Sequence, residues 1–326
     1  MRFACQHIKY IFALASFILL MPAGAQDNTG TPAPGAAFSL VLAAAPEAAA
    51  GGTGSVQFIG NATVLLRYGG LTILTDPNFL HKGDHVNLGY GIHARRLTNP
   101  AIEFDQLPPI DLVILSHMHE DHFDKLVQQN LKRDTPIVTT PNASAQLRKL
   151  GFTRRFPLSR WDTLDVVKGQ DHLRVSATPA RHSGPLVAVL MPQVMGTIVE
   201  FSNGTDSNSY RIYISGDTMV YGDIEEIPRR FPNIDLALLH LGGTQIFGVV
   251  KVSMDGKDGV RMMRIIAPHR AIPIHFNDYD RFKSPLSDFE REVASAGLSD
   301  KVTYLKQGDT YQFAPAPAPA PAPAPP

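Results

Sequence analysis

Six consecutive positions, 117-HMHEDH-122, hold three histidines and two acids directly behind the apolar run 110-IDLVIL-115. A short apolar run bounded by polar residues reads as a strand buried on both faces. Just beyond the cluster, Asp124 stands where its carboxylate can cap a helix beginning at Lys125. A loop held by a buried strand at one end and a capped helix at the other can aim several side chains at one point. His117 and His119, two residues apart, project from the same side of such a loop and can share one ion. Asp121 and His122 then point to a second position close by. Few folds meet that demand, because other strand ends must converge on the loop to complete the coordination.

Three later strand-like runs each end in a further donor. Residues 172–178 lead to His182 in 180-ARHSG-184, 211–215 to Asp217 in 215-SGDT-218, and 271–274 to His275 in 273-PIHF-276. A lone histidine at a strand end is usually a satisfied polar residue. Donors at three strand ends together with one dense cluster point instead to metal binding. Cysteine cannot contribute, because the single Cys5 lies in an N-terminal basic head. The ligands must therefore be His, Asp or Glu.

That head (Arg2, Lys9) is followed by an apolar run over 10–21 and the small-residue ending Ala23-Gly24-Ala25. This is the layout of a cleavable signal peptide over 1–25, with an apolar run too short to span a membrane comfortably. The mature chain is expected to be periplasmic or secreted, with no integral membrane segment. Residues 26–52 are Ala/Gly/Pro-rich and read as a linker, and 314–326 is an Ala-Pro tail favouring extended polyproline II. The chain carries 30 basic and 30 acidic residues with no basic block, which speaks against a nucleic-acid partner.

Residues 53–313 remain as one domain. The segment 55-SVQFIGNATVLLRYGGLTILTDP-77 reads as three strands broken by turns at Gly60-Asn61 and Gly69-Gly70. Residues 78–109, with His81, His85 and His93, read as a loop-rich lid. Beyond it, strands are expected at 137–140, 196–201, 236–239 and 302–305, and helices at 143–150, 256–266 and 285–296. Hairpins mixed with strand-helix alternation predict an α/β (α+β) domain of two mixed sheets covered by helices.

On these residues the chain resembles the metallo-β-lactamase-fold metallohydrolases. Their HxHxDH signature looks like 117-HMHEDH-122, with His182, Asp217 and His275 following in the family's order and Asp76 of 75-TDP-77 preceding. The resemblance covers 55–306 and implies a four-layer αββα sandwich with metals at one edge. It implies that His117, His119 and His182 bind one metal, that Asp121, His122 and His275 bind the other, and that Asp217 bridges both. Asp76 would steady the loop from behind. Two divalent ions about 3.5–4 Å apart would give a hydroxide nucleophile at neutral pH, with Asp121 orienting it or taking its proton. Zinc suits such ligands best, and manganese, iron or nickel fit the same geometry.

The stretch 107-LPPIDLVILSHMHEDHFD-124, with Gly89-Tyr90-Gly91, Arg95-Arg96, 240-HLGGTQ-245 and 254-MDGKDGV-260, is similar to one branch of that family. The branch contains ascorbate-phosphate lactonase-like proteins and the N-acylphosphatidylethanolamine-hydrolysing phospholipase D. It implies a small-molecule or lipid-like substrate and an ester, lactone or phosphodiester bond. A β-lactam-opening hydrolase is the alternative, disfavoured because secreted β-lactamases of this fold lack the Pro-Pro-Ile-Asp lead-in. A non-catalytic metal-binding member would be expected to have lost ligands, and none is missing here. His240, ending the run 236–239, and Tyr221, close behind Asp217, are candidate catalytic residues that could stabilise a transition state. Arg181 reads equally as a surface salt-bridge partner or an anion contact, and Phe79, Leu80 and Leu88 as walls of an apolar mouth or, the more frequent fate of such residues, as core.

Overall fold

A computed structural model describes residues 35–44, 53–89, 91–184, 187, 191–203, 209–246 and 250–314. The expected signal peptide, Tyr90 and the tail beyond residue 314 lie outside them. Along the chain, β1 (Ala37–Leu42) precedes a meander of β2 (Gly54–Gly60), β3 (Thr63–Tyr68) and β4 (Leu71–Thr75). A small hairpin, β5 (His85–Asn87) and β6 (His93–Arg95), comes next. Then follow β7 (Leu112–Leu115), helix α1 (Lys125–Asn130), β8 (Ile137–Thr139), helix α2 (Pro141–Lys149) and β9 (Arg155–Pro157). The second half opens with β10 (Thr163–Lys168), β11 (Asp171–Thr178), β12 (Gly196–Asn203) and β13 (Tyr210–Ile214). Helix α3 (Glu226–Arg230), β14 (Leu236–His240) and the hairpin β15 (Gln245–Ile246) and β16 (Val250–Lys251) follow. The fold closes with helix α4 (Gly256–Ile266), β17 (Arg270–Ile274), helix α5 (Leu286–Ser295) and β18 (Thr310–Phe313).

Two mixed sheets result, ordered β18-β2-β3-β4-β7-β8-β9 and β1-β10-β11-β12-β13-β14-β17. Their inner strands are apolar on both faces because each face packs on something different. In β7, Leu112 and Ile114 join the core between the sheets, whereas Val113 and Leu115 join the cluster that includes Val127 of α1 and Ala143 and Leu147 of α2. In β14, Leu236 and Leu238 point to the shared core, and Ala237 and Leu239 pack with Val260 and Met263 of α4 and Phe289 of α5. Period-two alternation thus sorts each strand between an inner layer and an outer helical layer, which gives the expected αββα order.

The capped helix behind the histidine loop forms as anticipated. Asp124 accepts from Val127 N–H at 2.8 Å and also from the Leu80 and Phe79 N–H groups, so one carboxylate caps α1 and anchors the lid segment. Two expectations need correction. The Ala-rich stretch 26–52 contains β1, which pairs in parallel with β10. Its sequence AFSLVL hides a strand among small residues: Leu40 is 4% exposed and Val41 73%. The strand expected at 302–305 is reduced to a bridge between Val302 and Ala271, and the chain pairs later through β18 on β2. The segment 78–109 also carries the β5–β6 hairpin, whose Val86, Leu88 and Ala94 cluster with Tyr279.

Candidate metal centre

The candidate ligands lie at or just past the carboxyl ends of strands. β4 is parallel to β7, and β13, β14 and β17 are mutually parallel, so the carboxyl ends within each set open on one edge. Asp76, the 117–122 loop, Asp217, His240 and His275 follow or end those strands, and His182 follows β11, which is antiparallel to β12 and so runs in the same direction as β13. The chain leaves them in tight turns: Asp76 and His275 adopt φ of 36° and 58°, conformations that an L residue keeps only where the surroundings impose them. Gly216 has φ of 59°, and a Cβ there would lie 2.6 Å from the Met195 carbonyl oxygen, so only glycine can deliver Asp217 this closely to the Ser116 turn.

Among the described residues the side chains converge as four overlapping groups. His117, His119 and His182 place ligand atoms within 4.8 Å of one another, as do Asp121, His122 and His275, as do His117, His122 and Asp217, and as do Asp76, His122 and His240 behind them. Most rings are aimed by a contact on the far side. His117 Nδ1 lies 2.9 Å from Ser116 Oγ, His122 Nδ1 3.1 Å from Asp76, His182 Nδ1 3.1 Å from the Val252 carbonyl and His275 Nδ1 3.0 Å from the Leu241 carbonyl. Each outer acceptor holds its ring with Nε2 as the inward lone pair, the arrangement expected of metal-ligating histidines. His117 Nε2 and His119 Nδ1 stand 2.9 Å apart.

These donors fit metal binding by their own chemistry. Nε2 of His122, His182 and His275 and one oxygen each of Asp121 and Asp217 are buried without a hydrogen-bond partner. A buried polar atom left unpartnered costs about 1–3 kcal/mol, so several at one point call for a cation. Protonation states agree. Burial, reinforced by neighbouring imidazoles, holds His117 well below the usual histidine range, takes His119 to about 3 and lowers His182, leaving neutral ligands. At His122 and His275 burial acts in the same direction, but the Asp217 and Asp121 carboxylates outweigh it and raise both. Asp121 and Asp217 are in turn lowered despite burial, by His122 and His275 chiefly. The Asp121, His122 and His275 group is therefore a place where carboxylates hold positive charge, which a divalent ion can supply in place of protons.

Behind the ligands lies a support that runs to Asp76. It accepts from Ser116 N–H at 2.7 Å and from Ser116 Oγ at 2.9 Å, and it faces His122 Nδ1 and His240 Nε2. Burial would raise its pKa, yet contacts with His122 and His240 bring it to about 2. His240 is fully buried, with Nε2 3.3 Å from Asp76 and Nδ1 3.2 Å from Ser215 Oγ, so it braces Asp76. Tyr221 is displaced from the expectation. It sits outside the ligand groups, stacked under Arg181 beside His182 in a cleft of about 370 Å³. His81, His85 and His93 belong to none of the metal-capable groups among the described residues, and His81 instead pairs with Glu103 at 2.8 Å. Phe79 is buried against Phe104, whereas Leu88 does line the mouth over the ligands.

Sequence reasoning missed Asn61. Read as a turn residue, it donates from Nδ2 to the Asp121 carbonyl at 2.6 Å, and its own carbonyl accepts from His275 N–H at 2.7 Å. Asp278 holds the Asn61 N–H at 3.0 Å, and Arg96 lies 3.8 Å from that carboxylate. Nothing local marks this clamp, because its partners are 60 and 217 positions away.

The mouth itself is a hollow of about 20 Å³, room for about one water, over His119, Asp121, His182 and Asp217. Leu88, Ile92, Met191 and Val252 wall it, with Arg281 also at its margin.

Comparison with known proteins agrees with this geometry. The family model for the beta-lactamase superfamily domain matches residues 72–276. A metal-dependent hydrolase of Rubrobacter xylanophilus is 26% identical over 265 residues, covering 79% of this chain and 96% of that protein. One from Methanopyrus kandleri is 24% identical over 257 residues, covering 79% and 99%. Among solved structures, an isothiocyanate hydrolase from Delia radicum gut bacteria superposes with a TM-score of 0.67 at 22% identity, covering 80% of this chain and 99% of that one. A possible metal-dependent hydrolase from Veillonella parvula gives 0.65 at 21%, covering 79% and 98%. Two layered mixed sheets, the strand-end donors and the family match lead to one assignment: the chain belongs to the metallo-β-lactamase-fold superfamily and is a metal-dependent hydrolase of that fold.

Proposed function

We propose that the chain is a secreted hydrolase that uses two divalent ions, zinc best suited among them, on an ester, lactone or phosphodiester bond. One observation carries this reading: the inward donors fall into two sets, His117/His119/His182 and Asp121/His122/His275, with Nε2 of His182, His122 and His275 and an oxygen of Asp121 unpartnered, and with Asp217 reaching toward the second and within range of His117 in the first. Two divalent ions, if held by these residues, would supply a water that ionises near neutral pH and an electrophile for the substrate's carbonyl or phosphoryl oxygen.

The protein's own groups prepare that chemistry. Asp121 is held by Asn61 at its carbonyl and lies 3.5 Å from His275 Nε2, and its other carboxylate oxygen is free to orient a water and accept its proton. Asp76 and Ser116 fix the tautomers of His122 and His117, so the ligand lone pairs need no reorganisation. Leu88, Ile92, Met191 and Val252 exclude bulk water from the hollow. That hollow admits a reacting group and little more, so the rest of the substrate must extend into the wider cleft that shares His182 and Met191 with it.

The test is initial hydrolysis rates of the metal-loaded mature chain on a phosphodiester, an acyl-homoserine-type lactone, an ester and a cephalosporin, with Asp217→Ala as the blank. Preference for one bond type, abolished in the variant, supports the proposal. Equal rates in both proteins sink it. Secretion is checked by N-terminal sequencing of the chain exported from cells: a mature terminus just after Ala25 is expected, and a retained Met1 contradicts it.

A further inference from the structure

The cleft beside His182 contains a cation that the metal centre does not use. Arg181, next to His182 in sequence, has its main chain pinned on both sides. Its N–H donates to Thr218 Oγ1 at 2.9 Å, and its carbonyl accepts from Met219 N–H at 2.8 Å. The guanidinium lies over the Tyr221 ring, 4.1 Å from the centroid. Its Nε is buried without a hydrogen-bond partner, and among the described residues no carboxylate pairs with it. The acids near Tyr221, Asp223 and Glu226, are both held by Arg160, at 2.8 Å and 2.7 Å. The adjoining stretch 185-PLVAVL-190 carries no acid at all.

A partly buried guanidinium held over an aromatic face in the wall of the cleft has donors available to an anion that enters it. Its planar fork matches carboxylate and phosphate geometry in bidentate fashion, and the stack limits the entropy lost on binding. Tyr221 does not oppose an anion, since burial pushes its hydroxyl up to about 12 and leaves the ring neutral. The cleft, about 370 Å³ and walled also by Leu158 and Met191, is of ligand size.

We propose that this cleft is an anion subsite in which Arg181, supported by Tyr221, holds a carboxylate or phosphate group on the part of the substrate remote from the scissile bond. The proposal rests on the hydrolase reading for where the reacting bond lies, but binding does not require turnover. It also gives Tyr221 a role, as a platform for the arginine.

The experiment is calorimetric titration of the metal-loaded mature chain with phenylphosphonate and with its neutral dimethyl ester. Arg181→Gln is expected to weaken phenylphosphonate binding about tenfold or more. Arg181→Lys should recover part of that loss, and the neutral diester should bind all three proteins alike. A parallel titration with 3-phenylpropionate names the preferred anion by the larger arginine dependence. Unchanged phenylphosphonate affinity in Arg181→Gln overturns the proposal, as does an equal loss for the neutral diester, which would mark a change of shape. A wild-type chain that binds with this arginine dependence yet hydrolyses nothing would remove the hydrolase reading and leave the subsite standing. Turnover of esters with no arginine dependence of binding would do the reverse.

Discussion

Asp76→Asn keeps the shape of the side chain that holds the histidine loop while reversing half of its hydrogen-bonding sense. One Asp76 oxygen faces Ser116 Oγ at 2.9 Å, His122 Nδ1 at 3.1 Å and His240 Nε2 at 3.3 Å, and the other accepts from Ser116 N–H at 2.7 Å. An amide can keep only one acceptor, so whichever way it turns it sets N–H against N–H on one side. If the amide oxygen stays on Ser116 N–H, His122 and His240 each lose a buried acceptor at about 1–3 kcal/mol apiece. The carboxylate's own contribution is smaller: a pKa of about 2 against an ordinary 3.8 corresponds to about 2 kcal/mol, present above pH 3.8 and lost as pH falls through 2. On the proposed dinuclear reading His122 serves the second metal position, so the variant should bind the second ion about 10- to 100-fold more weakly. The effect on the first should be smaller, since Ser116 Oγ still reaches His117. Competition of the metal-loaded protein against a chromophoric chelator reads the two affinities separately, and thermal unfolding of the chelated chain reads the stability loss. Unchanged affinity for both ions would refute the reasoning, because it would mean that the orientation of His122 does not depend on Asp76.

Asp124→Ala removes the α1 cap and the acceptor for Phe79 and Leu80, and should destabilise the chain by about 2–4 kcal/mol in urea unfolding. A chain starting at residue 53 lacks β1 and exposes the edge of β10, so it should unfold at lower temperature and aggregate more readily than one starting at residue 35. Metal uptake should release protons, measured as buffer-dependent heats, and should weaken as pH falls, because the raised His122 and His275 must lose theirs. The same two groups make the chelated chain more stable below the ordinary histidine pKa of 6.5, and that stability should be lost as pH rises through their raised values. Melting the chelated chain across that range checks the sign.

The loop 117–122 was legible because its density of donors after a buried strand has few other uses, and His182, Asp217 and His275 because each stands at the end of an apolar run. The two layered sheets followed from the same strand ends together with the hairpin turns. What sequence alone hid is long-range. Asn61 looks like any turn residue until its contacts with Asp121 and His275 are seen. His240 is at a strand end like the ligands, and only its contact with Asp76 behind His122 shows it as a brace. The strand β1 was masked by alanines, because composition averages away a two-residue alternation that only its neighbour β10 makes meaningful.

The most direct test is the metal content of the purified, zinc-reconstituted chain by plasma mass spectrometry, beside His275→Ala and His182→Ala. About two ions per wild-type chain and about one in each variant are expected, since each substitution removes a ligand from one position only. One ion or none in the wild type, or no change in either variant, would contradict a dinuclear centre built from these strand ends.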